Sequence, residues 1–291
     1  MIESLTVMTA VQTLLEGFFD YAGLYPPAGL DLRTAASRYL DYACGERAWA
    51  LGRFIVNADR LAELRATVSA DDLRRLKLSV IVSNAADAEA ILKEVEEGLP
   101  IDTVEIKWSK PSASGGVIEV PESLTTYLEI QTGRKDENTL DLISGLGVRA
   151  KIRMGGVVAE AFPDAPSVAD VLSMLASRQL CFKATAGLHH PIRSSQRLTY
   201  EPESTRATMH GFLNLFCAAA AVYFGEGRGI AEDILQDVDR AAWQIDEGSL
   251  RWRKLSWMTE QIATVRREFF ISVGSCSFEE PIRDLEELGW L

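Results

Sequence analysis

The chain has 291 residues, of which 47% are hydrophobic and 25% charged. That is enough apolar material for one large core or two small ones, and it excludes a collagen, a disulfide knot and a disordered tail. With 42 acidic against 30 basic side chains the formal net charge is -12, so a polyanion meets a repulsive average surface and nucleic acid is not expected as a partner.

Cys44, Cys181, Cys217 and Cys276 are too far apart for a Cys-x-x-Cys pair and too few for a secreted framework. They read as reduced thiols of a reducing compartment. Met1 to Leu15 carries Glu3 and no basic region before its apolar residues, which predicts an amphipathic helix and not a signal peptide. The longest apolar stretch, Met209 to Phe224, contains His210 and Asn214 and is short for a bilayer span. The expectation is a soluble, cytoplasmic protein with no membrane partner. Association of identical copies stays open.

In chain order, strands are expected at Phe18 to Leu24, Leu51 to Val56, Leu78 to Val82, Thr103 to Lys107, Tyr127 to Gln131, Ala150 to Met154, Cys181 to Thr185 and Phe269 to Val273. Helical spacing occupies most intervals, as in Leu32 to Tyr42, Ala88 to Glu97, Leu140 to Leu146 and Val168 to Ala176. Between the seventh and eighth strands lie an apolar helix near 209 to 225, a helix near Ile230 to Arg240, a short stretch from Trp243 to Trp252 and a helix up to Glu268. Eight strands alternating with helices predict an α/β fold of the (β/α)8, or TIM, barrel type, with an extra helical insertion between strands seven and eight. The rival, an open doubly wound sheet, calls for a Gly-x-Gly-x-x-Gly turn after the first strand, which is missing. No repeat, low-complexity tract or linker divides the chain, so residues 1–291 are expected to form one domain.

Strands four to seven carry polar residues on one parity and apolar residues on the other. The polar parity gathers Glu105, Lys107, Glu129, Gln131, Lys151, Arg153, Lys183 and Thr185. Pointed into the barrel unpaired, each would cost several kcal/mol, on the order of the desolvation penalty of a polar group. They must pair, be hydrated or bind something, and the C-terminal ends of barrel strands are where such enzymes work. The competing reading is a buried ion-pair network that only braces the barrel. Three lysines and one arginine against two glutamates lower lysine pKa by crowding and favour an amine nucleophile, and the surplus positive charge suits a phosphate or carboxylate. The expected ligand is a small anionic metabolite that bears a carbonyl.

The sixth strand runs into Gly155-Gly156 and the seventh into Ala186-Gly187-Leu188-His189-His190-Pro191. Glycines there let backbone amides approach an anion, or mark an ordinary turn. Ser275 and Ser277 after the eighth strand either donate to the same anion or cap the last helix, and capping is the favoured role for Ser277. His189, His190 and His210 cluster just after strand seven. Acid/base work, metal binding with Glu105 or Glu129, and plain loop contact all remain open for them. In an extended segment only one of His189 and His190 faces the cavity, joined by His210. Arg53 is a further candidate anion contact, or a partner for a glutamate. Tyr25 is either a proton donor at the mouth or packing against Pro26 and Pro27. Cys181 and Cys276 read as core thiols, because neither motif supplies an adjacent base.

Lys183-Ala184-Thr185-Ala186-Gly187 resembles the Schiff-base lysine motif of class I aldolases of the deoxyribose-phosphate aldolase type, Lys-Thr-Ser-Thr-Gly. Lys151 in Lys151-Ile152-Arg153-Met154-Gly155-Gly156 is similar to that family's second lysine. The order of the two motifs is reversed here, so the resemblance implies an imine-forming lysine without saying which. The Leu-His-His-Pro continuation and the long segment before strand eight are foreign to the family.

Three functions follow as expectations. The first is a lysine-dependent lyase or aldolase in which Lys183 forms the imine and Lys151 depresses its pKa. Glu105, Glu129, Lys107 or His190 would serve the chemistry, while Arg153, Gln131, Thr185, Gly155, Gly156, His189, His210, Arg53, Ser275 and Ser277 hold the substrate. The second is a sugar-phosphate isomerase, metal-assisted or metal-free, with glutamates as bases and lysines as electrophiles. The third is a non-catalytic barrel that binds an anionic metabolite. No motif for a nucleotide, flavin or pyridoxal cofactor is present, and none is expected.

Overall fold

A computed structural model describes residues 8–83, 85–107, 120–132 and 137–291. The part of the expected N-terminal helix before Met8 lies outside them. Ala10–Leu15 is helical, capped by the Thr9 side chain.

The strands in chain order are β1 (Phe19–Tyr21), β2 (Leu51–Asn57), β3 (Leu78–Val82), β4 (Ile101–Ile106), β5 (Thr125–Ile130), β6 (Arg149–Arg153), β7 (Phe182–Thr185), β8 (Ser194–Arg197), β9 (Arg206–Met209), β10 (Trp243–Ile245), β11 (Ser249–Trp252), β12 (Leu255–Met258) and β13 (Phe270–Ser275). Strands β1 to β7 and β13 close an eight-stranded barrel, with every neighbouring pair parallel. This is the (β/α)8 architecture that the alternation predicts. Closure leaves no strand edge to water.

Local chemistry sets the element ends. Asp31 and Asp164 cap the helices Leu32–Cys44 and Ala165–Ser177 by accepting from the backbone N–H three residues on. Gly147, at φ 65°, follows the helix Glu137–Leu146 in the left-handed conformation that glycine adopts without a Cβ clash. Outward-facing residues of the barrel are apolar and meet the helices. Phe19 packs edge-on against Phe212, and Phe182 stacks on Phe270.

The insertion between β7 and β13 departs from the expectation of helices alone. It contains the helices Phe212–Tyr223, Arg228–Gln236 and Thr259–Glu268, together with two small antiparallel sheets, β8-β9 and β10-β11-β12. Phe212–Tyr223 is buried from Phe212 to Ala221, which explains its apolar run without a membrane. Among the described residues no helix is long and apolar enough to cross a bilayer.

Candidate active site at the C-terminal mouth of the barrel

Inward-pointing side chains of the barrel form an ion lattice where branched aliphatics are the rule for this fold. Asp20 interrupts the apolar run Phe18-Phe19-Asp20-Tyr21 and is 0% exposed. Its Oδ1 accepts from the backbone N–H of Arg53 at 2.7 Å, and its Oδ2 accepts from Ser272 Oγ at 2.8 Å and from Lys183 Nζ at 2.5 Å. Lys183 also donates to Glu105 Oε1 at 2.7 Å, which accepts from Ser79 Oγ at 2.7 Å as well. The other Glu105 oxygen lies 2.8 Å from Lys151 Nζ, and Lys151 in turn lies 2.9 Å from Glu129 Oε2. Arg153 ends the chain of charges, 3.6 Å from Glu129 Oε1.

This lattice reverses the expected lysine electrostatics. Burial disfavours both ammonium groups, but Glu105 and Glu129 outweigh it for Lys151, and Asp20 and Glu105 outweigh it for Lys183, so both pKa values are raised. Burial likewise disfavours the Glu105 carboxylate, and the two lysines overcome it and hold its pKa far below the ordinary range. Crowding does not lower the lysine values, because carboxylates stand between the cations.

Above the lattice a cavity of about 540 Å³ opens at the C-terminal ends of the strands. Lys107, Glu129, Lys151, Arg153, Gly156, Thr185, His189 and His190 line it. Lys183 and Glu105 do not line it and sit one layer deeper, at 1% and 0% exposure. The expected nucleophile thus lies beneath the floor, and Lys151 is the lysine that meets the cavity from within the lattice.

Several expected ligand contacts lie elsewhere. Arg53 binds Asp102 with two hydrogen bonds, 2.5 and 3.0 Å, because its position near the start of β2 places it at the opposite end of the barrel. Gln131 is exposed beyond the end of β5 and is not part of the cavity wall. Gly155 serves packing: a Cβ there would come within 2.5 Å of Phe162 Cε1 and 3.0 Å of Gly187 Cα. Ser277 Oγ accepts from the backbone N–H of Glu280 at 3.1 Å, in the first turn of the helix Glu279–Glu287. Ser275 Oγ is buried and donates to the Ser277 carbonyl at 2.7 Å.

The histidines also differ from expectation. Ala186 and Gly187 both take positive φ, 65° and 69°, so the chain bends after β7 and both His189 and His190 reach the cavity wall. His189 Nδ1 lies 2.9 Å from Glu280 Oε2, and His190 Nδ1 lies 2.6 Å from Asp284 Oδ2. His210 does not join them. Its Nε2 donates to the Pro163 carbonyl at 2.7 Å, while its Nδ1 is 3.1 Å from Arg193. Burial pushes His210 down to about 4, with the nearby Arg193 charge acting in the same direction. Among the described residues no cluster of three or more His, Cys, Asp or Glu side chains is arranged to hold a metal ion.

The insertion adds wall residues that the sequence did not single out. The β8-β9 hairpin and the turn between its strands contribute Gln196, Arg197, Tyr200 and Arg206, and the last helix contributes Glu280 and Arg283. Asp20 was missed as well, although a lone aspartate inside an otherwise apolar strand is a signal that a buried cation must face it. Tyr25 lines the mouth and donates from its hydroxyl to Asn57 Oδ1 at 2.9 Å. Cys276, expected as a core thiol, lines the cavity too.

The lining holds six cationic side chains, Lys107, Lys151, Arg153, Arg197, Arg206 and Arg283, against the carboxylates Glu129 and Glu280. In a chain of net charge -12 this is a local reversal of sign that draws in anions. No protein-family model, curated protein or solved structure matches this chain.

Proposed function

We propose that the barrel is an enzyme that moves a proton on a small anionic carbonyl compound, the isomerase type of reaction. The observation that carries this reading is the Lys151 ammonium at the cavity floor, held charged between Glu105 and Glu129 at 2.8 and 2.9 Å. A fixed ammonium stabilises negative charge that develops on a carbonyl oxygen, and it does so without reorganisation. Glu129, which shares the cavity wall with it, takes the proton from the adjacent carbon. The arginines of the hairpin and the last helix hold the phosphate or carboxylate end.

The test is hydrogen exchange in D2O. A panel of sugar phosphates and 2-oxo acids is followed by NMR for deuterium at the carbon next to the carbonyl. Exchange that is lost in Lys151→Met and Glu129→Gln supports the reading. No exchange in any compound that binds the protein refutes it.

Aldolase chemistry is the second reading, favoured by the direct register of Lys151 with Lys183 on adjacent strands and by the lysine motifs. It requires Lys151 to pass its proton to Glu129 before attacking the carbonyl carbon. Borohydride in the presence of a carbonyl substrate then fixes the adduct on Lys151. A trapped Lys183, which lies below the cavity, would overturn this assignment.

A further inference from the structure

On the wall of the same cavity, Cys276 follows directly on the last barrel strand and lies beside His189, and His189 in turn meets Glu280 of the final helix. The sulfur is 3.8 Å from His189 Nε2 and 4.0 Å from Nδ1, and Nδ1 is 2.9 Å from Glu280 Oε2. Cys276 is 6% and His189 8% exposed, and all three side chains line the cavity. The Tyr200 hydroxyl of the hairpin segment lies 3.7 Å from the sulfur. A thiol, a base in reach of it and a carboxylate that orients the base are the parts of an activated nucleophile, and such contacts are commonly loose before substrate binds.

We propose that Cys276, His189 and Glu280 form a second reactive centre, a thiol nucleophile for small electrophiles that carry a carboxylate or phosphate. The ligand's charge rests on the anion-site reading of the cavity, whereas the nucleophile rests on the geometry of the three side chains. With an aldehyde, the sulfur, its proton lodged on His189, bonds to the carbonyl carbon. The C=O electron pair moves onto oxygen, which then takes the proton from His189. The product is a hemithioacetal, and no oxidant or reductant is consumed.

The titratable groups that surround the thiol are consistent with this role. They are His189 after β7, Tyr200 of the hairpin segment, Glu280 of the last helix and Tyr21 of β1. Burial opposes the His189 charge, yet Cys276 and Glu280 raise its pKa to about 10.

The experiment follows alkylation of the full-length protein by mass spectrometry at about pH 6.5, where an ordinary thiol is about 1% ionised. Iodoacetate labels folded Cys276 at least about tenfold faster than the same cysteine in urea, and His189→Asn and Glu280→Gln each remove most of that advantage. Iodoacetate also gains on neutral iodoacetamide when the chain folds. Glyoxylate, an aldehyde with a carboxylate, protects Cys276 where equal acetate does not, and it does so in Lys151→Met as well. Labelling no faster than in urea, or unchanged in both variants, overturns the nucleophile, and equal protection by acetate overturns the covalent step. None of these readings depends on turnover, so failure here is distinct from failure of the proton-transfer reading.

Discussion

Lys151 and Lys183 occupy registered positions on adjacent strands, and the single carboxylate of Glu105 stands between their ammonium groups, one oxygen 2.8 Å from the first and the other 2.7 Å from the second. Neutralising that bridge leaves two buried cations facing each other. Glu105→Gln is expected to destabilise the fold by about 3–5 kcal/mol, the cost typical of breaking a buried pair. It should also lower both lysine pKa values. Urea denaturation measures the first effect. The second appears as increased borohydride-dependent labelling of Lys151 by small aldehydes. A variant as stable as the parent would show that Glu105 does not bridge the lysines.

Asp20 and Lys183 form a buried pair at 2.5 Å with both side chains 1% exposed. Asp20→Asn alone and Lys183→Met alone should each destabilise strongly, while the double variant should recover about 1–3 kcal/mol of the summed loss, because no lone charge is then left in the interior. A double-mutant cycle by chemical denaturation reads this directly. Strict additivity would contradict the pairing.

His210 and His189 give opposite pH responses. His210 titrates near 4 when folded and near 6.5 when unfolded. As pH falls below about 6.5 the unfolded chain takes up the proton first, so stability is full above that pH and declines toward 4, by roughly 3 kcal/mol from this group. His189, raised to about 10, contributes stability that is full below about 6.5 and lost as pH rises through 10. NMR titration of the ring protons should show His210 neutral at pH 5.5 and His189 charged at pH 8. The reverse assignment would sink the account.

Arg197 and Arg206 stand opposite each other in the β8-β9 register, and both are exposed. Replacing both with alanine should weaken inorganic phosphate binding about tenfold or more, with little change in melting temperature in the absence of anion. Isothermal titration of phosphate, paired with a thermal scan, checks both halves. Unchanged phosphate affinity would remove the hairpin from the anion site.

Gly155→Ala tests a packing role against a ligand role. The new methyl would collide with the Phe162 ring and the Gly187 backbone, with a cost of about 1–3 kcal/mol as for other overpacked sites. Loss of anion binding without loss of stability would restore the role expected from the Gly-Gly motif.

The barrel was legible because its strands alternate so clearly. The eight expected strands coincide with the eight strands of the barrel to within a few residues at their ends. The polar parity of strands four to seven likewise placed Glu105, Glu129, Lys151 and Lys183 on one inner surface. Depth was not legible: parity says which way Lys183 points, but not that it lies a layer beneath Lys151, since depth follows from strand stagger around the closed barrel. The role of Asp20 depends on partners Arg53, Lys183 and Ser272, far away in sequence. The hairpin was missed because Ser194-Ser195-Gln196-Arg197 is too polar to show a buried strand face.

Charge is layered along the barrel axis. The buried part of the lattice sets Lys151 and Lys183 against Asp20, Glu105 and Glu129, one negative unit in excess, while the half-exposed Arg153 at its outer end and the arginines of the entrance face the cavity. Under the proposed function, this layering would orient a visiting molecule before it reacts, with its acidic tail near the surface and its neutral head toward Lys151. Compounds with an anionic group at both ends should be turned away, since one end would have to approach the acidic interior.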